Sequence, residues 1–209
     1  MKIKKIIISI IFSLFSAFAF ADIHNTINIY DFLMLGFNSH EVGEDNAEMS
    51  ATKINLGIGI EYLYVFDCGF SFGANFTLLS EEYVQTSVDT SVDIGMDSSG
   101  FGYSIAPVIG WTFKNNTLIQ LIDYPIIYEK ANFSKNTARI GSLSRKIDSN
   151  THYELIKTGL LASFEWGWTH FKLGVCCGTN FILADNYEDT FKGNFGIELM
   201  GGAKFTFLF

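Results

Sequence analysis

The sequence predicts an all-β fold, an eight-stranded antiparallel up-and-down transmembrane β-barrel. Three observations carry that prediction. Segments that alternate apolar with small or polar side chains recur along the chain, the period of a strand with two unlike faces. The connections between them alternate short and long. The chain ends on Phe205-Thr-Phe-Leu-Phe209, a strand that would invite aggregation in water but is ordinary against lipid.

The 209 residues include 21 Phe, 9 Tyr, 3 Trp and 19 Gly but only 2 Pro, which suits many strands with tight inward packing. Met1 to Lys5 is basic, Ile6 to Phe18 is apolar and uncharged, and Ala19-Phe20-Ala21 is a small-x-small site. A cleaved secretory signal peptide is therefore expected over 1–21, leaving 22–209 as one barrel domain. That remainder holds no other apolar run near the ~20 residues a membrane helix needs. A formal net charge of −8 argues against nucleic acid as a partner. Cys68, Cys176 and Cys177 are odd in number and partly adjacent, so they read as small packing residues rather than a disulfide framework.

Taken in order, the first strand runs from about Asn25 to Asn38, with Tyr30, Phe32 and Met34 on one face and Asp31 on the other, turned inward. After an acidic connection over 40–50, the second runs from Thr52 to Phe66. Ile54, Leu56, Ile58, Ile60, Tyr62, Tyr64 and Phe66 share its outer face, opposite Asn55, Gly57, Gly59 and Glu61. Asp67-Cys68-Gly69 is a tight turn. The third strand, to about Tyr83, sets Phe70, Phe72, Ala74, Phe76 and Leu78 against Ser71, Gly73, Asn75 and Thr77. Residues 84–99 are polar and contain the repeat Thr86-Ser-Val-Asp89, Thr90-Ser-Val-Asp93, read as a loop. The fourth strand, Gly100 to Phe113, turns Phe101, Tyr103, Ile105, Ile109, Trp111 and Phe113 outward, and Lys114-Asn115-Asn116 makes the next turn.

The fifth strand, Thr117 to Tyr128, is read with Asp123 inward and Leu118, Ile122, Tyr124, Ile126 and Tyr128 outward, along with Gln120, because a carboxylate in lipid is costly. Pro107 and Pro125 fall on this adjacent pair and predict a bulge or weakened pairing. Residues 129–150 form the longest loop, locally basic through Lys130, Lys135, Arg139, Arg145 and Lys146. The sixth strand, His152 to Trp166, points Lys157, Gly159, Ser163 and Glu165 inward; the seventh, Trp168 to Ile182, points Phe171, Leu173, Val175 and Cys177 outward. The acidic segment 183–194 precedes the eighth and last strand.

An even strand count puts both termini and the short turns on one side and the long loops on the other. Tyr62, Tyr64, Phe66, Trp111, Phe113, Trp166 and Trp168 gather at the short-turn ends, as an interfacial aromatic girdle does. On the signal peptide, the alternating strands, the loop asymmetry and the terminal Phe-x-Phe-x-Phe, the chain resembles the small eight-stranded outer-membrane barrels, the OmpX, OmpA-barrel and OmpW group. The resemblance implies the bacterial outer membrane as location. It also implies an assembly signal at Phe205, Phe207 and Phe209 that the barrel-assembly machinery reads; Gly201 departs from the larger residue often found upstream.

An eight-stranded barrel is just wide enough for side chains to fill. The expected lumen charges are Asp31, Glu61, Asp123, Lys157, Glu165, Lys172, Glu198 and Lys204, with Asp31–Lys204 and Glu165–Lys172 as candidate pairs. Such a lining reads as a polar plug, or alternatively as a narrow porin-like channel or OmpW-like conduit for small hydrophobic solutes. Ser39-His40-Glu41 supplies hydrolase residue types, but adjacency is not triad geometry, so no catalytic residues are expected. No spacing predicts a metal site or a cofactor. Expected partners are outer-membrane lipid, the assembly machinery and a surface ligand or host protein met by the loops; a monomer is expected.

Overall fold

The computed structural model describes residues 24–42, 47–87, 94–114, 117–147, 151–187, 192–193 and 196–209. The expected signal peptide, residues 88–93 of the repeat and Asn115-Asn116 of the second turn lie outside the described residues. Ten strands are described: β1 His24–Val42, β2 Ala47–Val65, β3 Phe70–Ser87, β4 Ile94–Lys114, β5 Thr117–Ile140, β6 Leu143–Ile147, β7 Thr151–Gly167, β8 Phe171–Tyr187, β9 Lys192–Gly193 and β10 Gly196–Leu208. Eight of them pair antiparallel in the order β10-β8-β7-β5-β4-β3-β2-β1, and β1 pairs back onto β10 to close the barrel. The short β6 and β9 flank β5 and β1 outside that ring.

Closure leaves no sheet edge through the ring, which is what a strand needs where no water can satisfy its backbone. The seam runs from Thr26 opposite Leu208 to Phe37 opposite Ile197. The C-terminal residue extends it: Asn25 N–H donates to the Phe209 carbonyl at 2.7 Å, and Phe209 N–H to the Asn25 carbonyl at 3.0 Å. Within the seam, a Cβ on Gly202 would lie 1.8 Å from the Asp31 carbonyl oxygen, so only glycine lets β10 approach β1 so closely there. Gly69, at φ 89°, makes the tight β2–β3 turn.

Burial alternates along the eight strands of the ring, and the exposed set is the apolar one. Leu56, Ile58, Ile60, Leu78, Phe101, Leu160, Val175 and Leu199 are exposed, while Asn28, Asn55, Glu61, Gln120, Lys157 and Lys204 are buried. A water-soluble fold would reverse those lists, since it seldom exposes a large contiguous apolar surface. The architecture is that of a transmembrane barrel. At the short-turn end the aromatic girdle forms by contact across strands. Phe70 meets Trp111 edge-on at 5.8 Å, Trp168 stacks on Phe171 at 5.9 Å, and Phe171 reaches Phe207 at 5.3 Å.

Two strands depart from the expected phase. In β1, Tyr30, Phe32 and Met34 face the lumen and Asp31 faces outward. One residue of slip moves a whole strand's side chains between faces, so the strand's sum decides. The observed phase hides Thr26 and Asn28 and gives lipid Ile29, Leu33, Leu35 and Phe37, at the cost of one carboxylate. In β5, Leu118, Gln120, Ile122 and Tyr124 point inward, and Asp123 is exposed. The β5–β7 register then shifts between Tyr124 and Ile127, across Pro125, and the β4–β5 register shifts between Ile105 and Ile109, across Pro107. Past the bulge Ile126 is outside, as expected, and Glu129 is inside.

The long connections are also more ordered than loops. β3 and β4 stay paired from Ser71–Gly110 up to Thr86–Gly95. Much of the expected basic loop is the upper half of β5, followed by a hairpin into β6 that turns at Gly141, φ 56°.

Candidate functional site in the barrel interior

The inward positions carry two charge clusters separated by an apolar belt. The lower cluster lies toward the short turns. Asn28 Nδ2 donates to Glu61 Oε1 at 2.7 Å and to Gln120 Oε1 at 3.2 Å, and Thr206 Oγ1 donates to Asn28 Oδ1 at 2.7 Å. Tyr124 OH donates to Glu61 Oε2 at 2.8 Å. Lys204 Nζ bonds Gln120, donates to Ser163 Oγ at 3.2 Å and stands 3.6 Å from Glu165 Oε1. Ser163 Oγ also donates to Glu165 Oε1, at 2.8 Å. Lys172 Nζ lies 3.5 Å from the Gly167 carbonyl oxygen.

The upper cluster binds five strands together. Lys157 Nζ, from β7, is 2.7 Å from Glu129 Oε2 on β5 and 2.6 Å from Glu198 Oε2 on β10. Lys53 Nζ, from β2, bonds Glu129, stands 3.2 Å from Glu198 Oε1 and 3.8 Å from Glu81 Oε1 on β3, and sits 4.8 Å over the Tyr153 ring. Tyr153 OH bonds Glu81 and donates to Glu129 Oε1 at 3.0 Å. Three carboxylates thus face two ammonium groups, every one of them buried. Charges in so dry a space must be paired, and strands that carry the partners are held in one register. Glu81 Oε1 and Glu165 Oε2 accept no hydrogen bond from the described residues.

Between the clusters Phe32, Met34, Leu79, Ala106 and Ile127 pack as one core with Tyr30 and Tyr124. Tyr30 lies across Gly59 of the next strand, where a Cβ would come within 2.4 Å of its ring, and its hydroxyl bonds Asn75. The interior cavity in this belt, lined by Tyr30, Phe32, Met34 and Ile127 among others, measures only about 30 Å³. That is space for a water or two rather than a passage. Leu63, Val65, Val108 and Leu118 are buried near the short-turn end, and Tyr83, Phe133, Tyr153 and Leu155 near the other.

Of the eight expected lumen charges, the structure brings Glu61, Lys157, Glu165, Lys172, Glu198 and Lys204 inside. Asp31 and Asp123 are outside, so the expected Asp31–Lys204 pair is not formed: the two side chains stand on opposite faces of the wall. Asp31 Oδ1 instead accepts from the Ala203 N–H at 3.0 Å. Lys53, Glu81 and Glu129 belong to the interior and were missing from the expected set. Two of them keep the period of residues already placed inside: Lys53 precedes Asn55 by two, and Glu81 follows Thr77 by four. Glu129 lies beyond the Pro125 bulge, where that period is reset.

Among the described residues, no group of three or more His, Cys, Asp or Glu is placed to hold a metal ion. The side chains of Ser39, His40 and Glu41 lie outside the described residues, as do those of Asp185 to Asp189. His170 Nδ1 lies 3.1 Å from the Leu208 carbonyl oxygen, beside the chain terminus. Cys68, Cys176 and Cys177 are unbridged.

Neither a protein-family model nor a curated protein matches the chain. Solved structures do. The attachment invasion locus protein Ail of Yersinia pestis aligns over 88% of this chain and 98% of its own, at 14% identity and a TM-score of 0.43. Neisserial surface protein A aligns over 87% and 95%, at 15% identity and a TM-score of 0.37. The translocator domain of the autotransporter NalP from Neisseria meningitidis aligns over 88% of each chain, at 6% identity and a TM-score of 0.35. The closed barrel of this chain is read from its own strand register, independently of these likenesses.

Proposed function

We propose that this chain is a monomeric bacterial outer-membrane barrel that does not conduct. It is exported by its N-terminal signal peptide and acts through the surface it raises above the membrane. The observation that carries this reading is the filled lumen, with two cross-strand charge clusters and between them an aromatic and aliphatic belt whose cavity measures about 30 Å³. A channel needs a continuous wet path, and an interior so packed offers none. The membrane part is then a scaffold. Its role is structural or surface-interacting, with a surface ligand or host protein met by the extended ends of β3, β4, β5 and β6. No catalytic or cofactor role is assigned.

Planar-bilayer recording of purified protein tests the reading. A flat baseline at either polarity is expected. Reproducible single-channel steps would sink the plugged barrel and favour a narrow conduit.

A further inference from the structure

Above the lipid-facing wall of β3, β4 and β5, successive outward rows can be read from the strand register. Ser80, Phe101 and Asn132 form the lowest, and Phe101 there is 73% exposed. Glu82, Ser99 and Lys135 form the next, then Val84, Asp97, Thr137 and Lys146, the last supplied by β6. Arg139 stands one row higher, opposite Gly95 and Ser144. The outer wall therefore changes from apolar to charged and hydroxyl-rich within one pleat, with three cations against the carboxylates of Glu82 and Asp97.

These rows enclose a pocket of about 750 Å³ lined by Ser98, Ser99, Lys135, Thr137, Arg139 and Lys146, with Glu82 and Asp97 at its wall. Arg139 Nη2 stands 3.1 Å from Asp97 Oδ1, which offsets that carboxylate. Yet Arg139 Nε is buried with no hydrogen-bond partner among the described residues. A buried donor without a partner is uncommon in a finished structure and marks where a ligand's acceptor belongs. Among the described residues neither Lys135 nor Lys146 stands in an ion pair, whereas Lys130, on the same wall, is 2.7 Å from Glu154.

We infer that this pocket binds the phosphate of a phosphorylated saccharide headgroup, carried by a lipid of the outer leaflet. The inference rests on the outer-membrane reading above and names one partner of its raised surface. A guanidinium flanked by ammonium groups suits a phosphate dianion, and the Ser and Thr hydroxyls suit sugar oxygens. The position favours a lipid-borne headgroup over a free one. The pocket opens one pleat above Phe101, so acyl chains can lie along the apolar wall while the headgroup sits among the cations.

Native mass spectrometry and vesicle-capture titration of the full barrel test this, with a bisphosphorylated glucosamine disaccharide lipid as probe. Its dephosphorylated form and the soluble bisphosphorylated disaccharide are the comparison arms. Wild type should prefer the phosphorylated lipid to the dephosphorylated one. Arg139→Gln, and separately Lys135→Gln with Lys146→Gln, should each weaken that binding about tenfold or more. Lys130→Gln should leave it unchanged, and heat-modifiable gel migration should verify that every variant is folded. Equal binding of both lipids, or full affinity in the folded pocket variants, would overturn the site. Equal affinity for the soluble disaccharide would overturn the lipid assignment. None of these outcomes depends on conductance, so the lumen reading and this one fail separately.

Discussion

Asp31 and Asp123 both face lipid from the middle of their strands, but their surroundings differ. Asp31 accepts the Ala203 N–H across the seam, while Asp123 has no hydrogen-bond or ion-pair partner among the described residues. A carboxylate on the lipid face destabilises a barrel, less than a cation does but in the same depth-dependent way. Asp123→Leu should therefore stabilise the barrel against urea unfolding from vesicles by about 1–2 kcal/mol. Asp31→Leu should gain clearly less, because it strips a backbone donor of its acceptor. Equal gains from the two would remove any role for the Asp31–Ala203 bond. Inside, Lys157 touches both Glu129 and Glu198. Lys157→Met leaves those carboxylates facing one another with only Lys53 between them, and should cost about 3–5 kcal/mol in the same assay. A variant as stable as wild type would mean that the cluster contributes nothing to holding the strands.

At the level of strands, the phases of β2, β3, β4, β7, β8 and β10 were legible because each keeps one unbroken period with its polar groups on a single side. β1 and β5 were not, for a common reason: each carries an Asp on the face that meets lipid. In β1 Asn28 outweighs it, since its partners Glu61, Gln120 and Thr206 are all inside. In β5 no single phase is right, because the Pro125 bulge joins two segments of opposite alternation. Strand ends above the membrane look like loops in the sequence because both of their faces are polar, so no period marks them. The last strand was legible to its final residue, and the structure gives Phe209 backbone bonds in both directions to Asn25. Deleting Phe209 should slow insertion into preformed vesicles and lower the yield of heat-modifiable barrel, beyond what loss of one lipid-facing ring would cause. Phe209→Leu, which keeps those backbone bonds, separates the two effects. A deletion variant that inserts as efficiently as wild type would leave no assembly role for the terminus.

The whole molecule is an inside-out protein only in part. Its exterior is apolar, as lipid requires, but its interior, among the described residues, is a compact mixture of ion pairs and aromatic packing. The same wall thus separates two drier environments than a porin would, which is why its inward charges are so thoroughly cross-bridged. On the function proposed above, the working surface is the rim, where the strands outrun the apolar band. The chain carries its own probes of this arrangement. All 3 of its tryptophans, Trp111, Trp166 and Trp168, are exposed on the outer wall near the short-turn end. The most direct measurement is the fluorescence of wild-type protein in vesicles whose acyl chains are brominated near the headgroup. The arrangement predicts blue-shifted emission that the brominated lipid quenches and iodide in the water scarcely does. Emission at the wavelength of water-exposed indole, quenched by iodide and untouched by bromolipid, would contradict it.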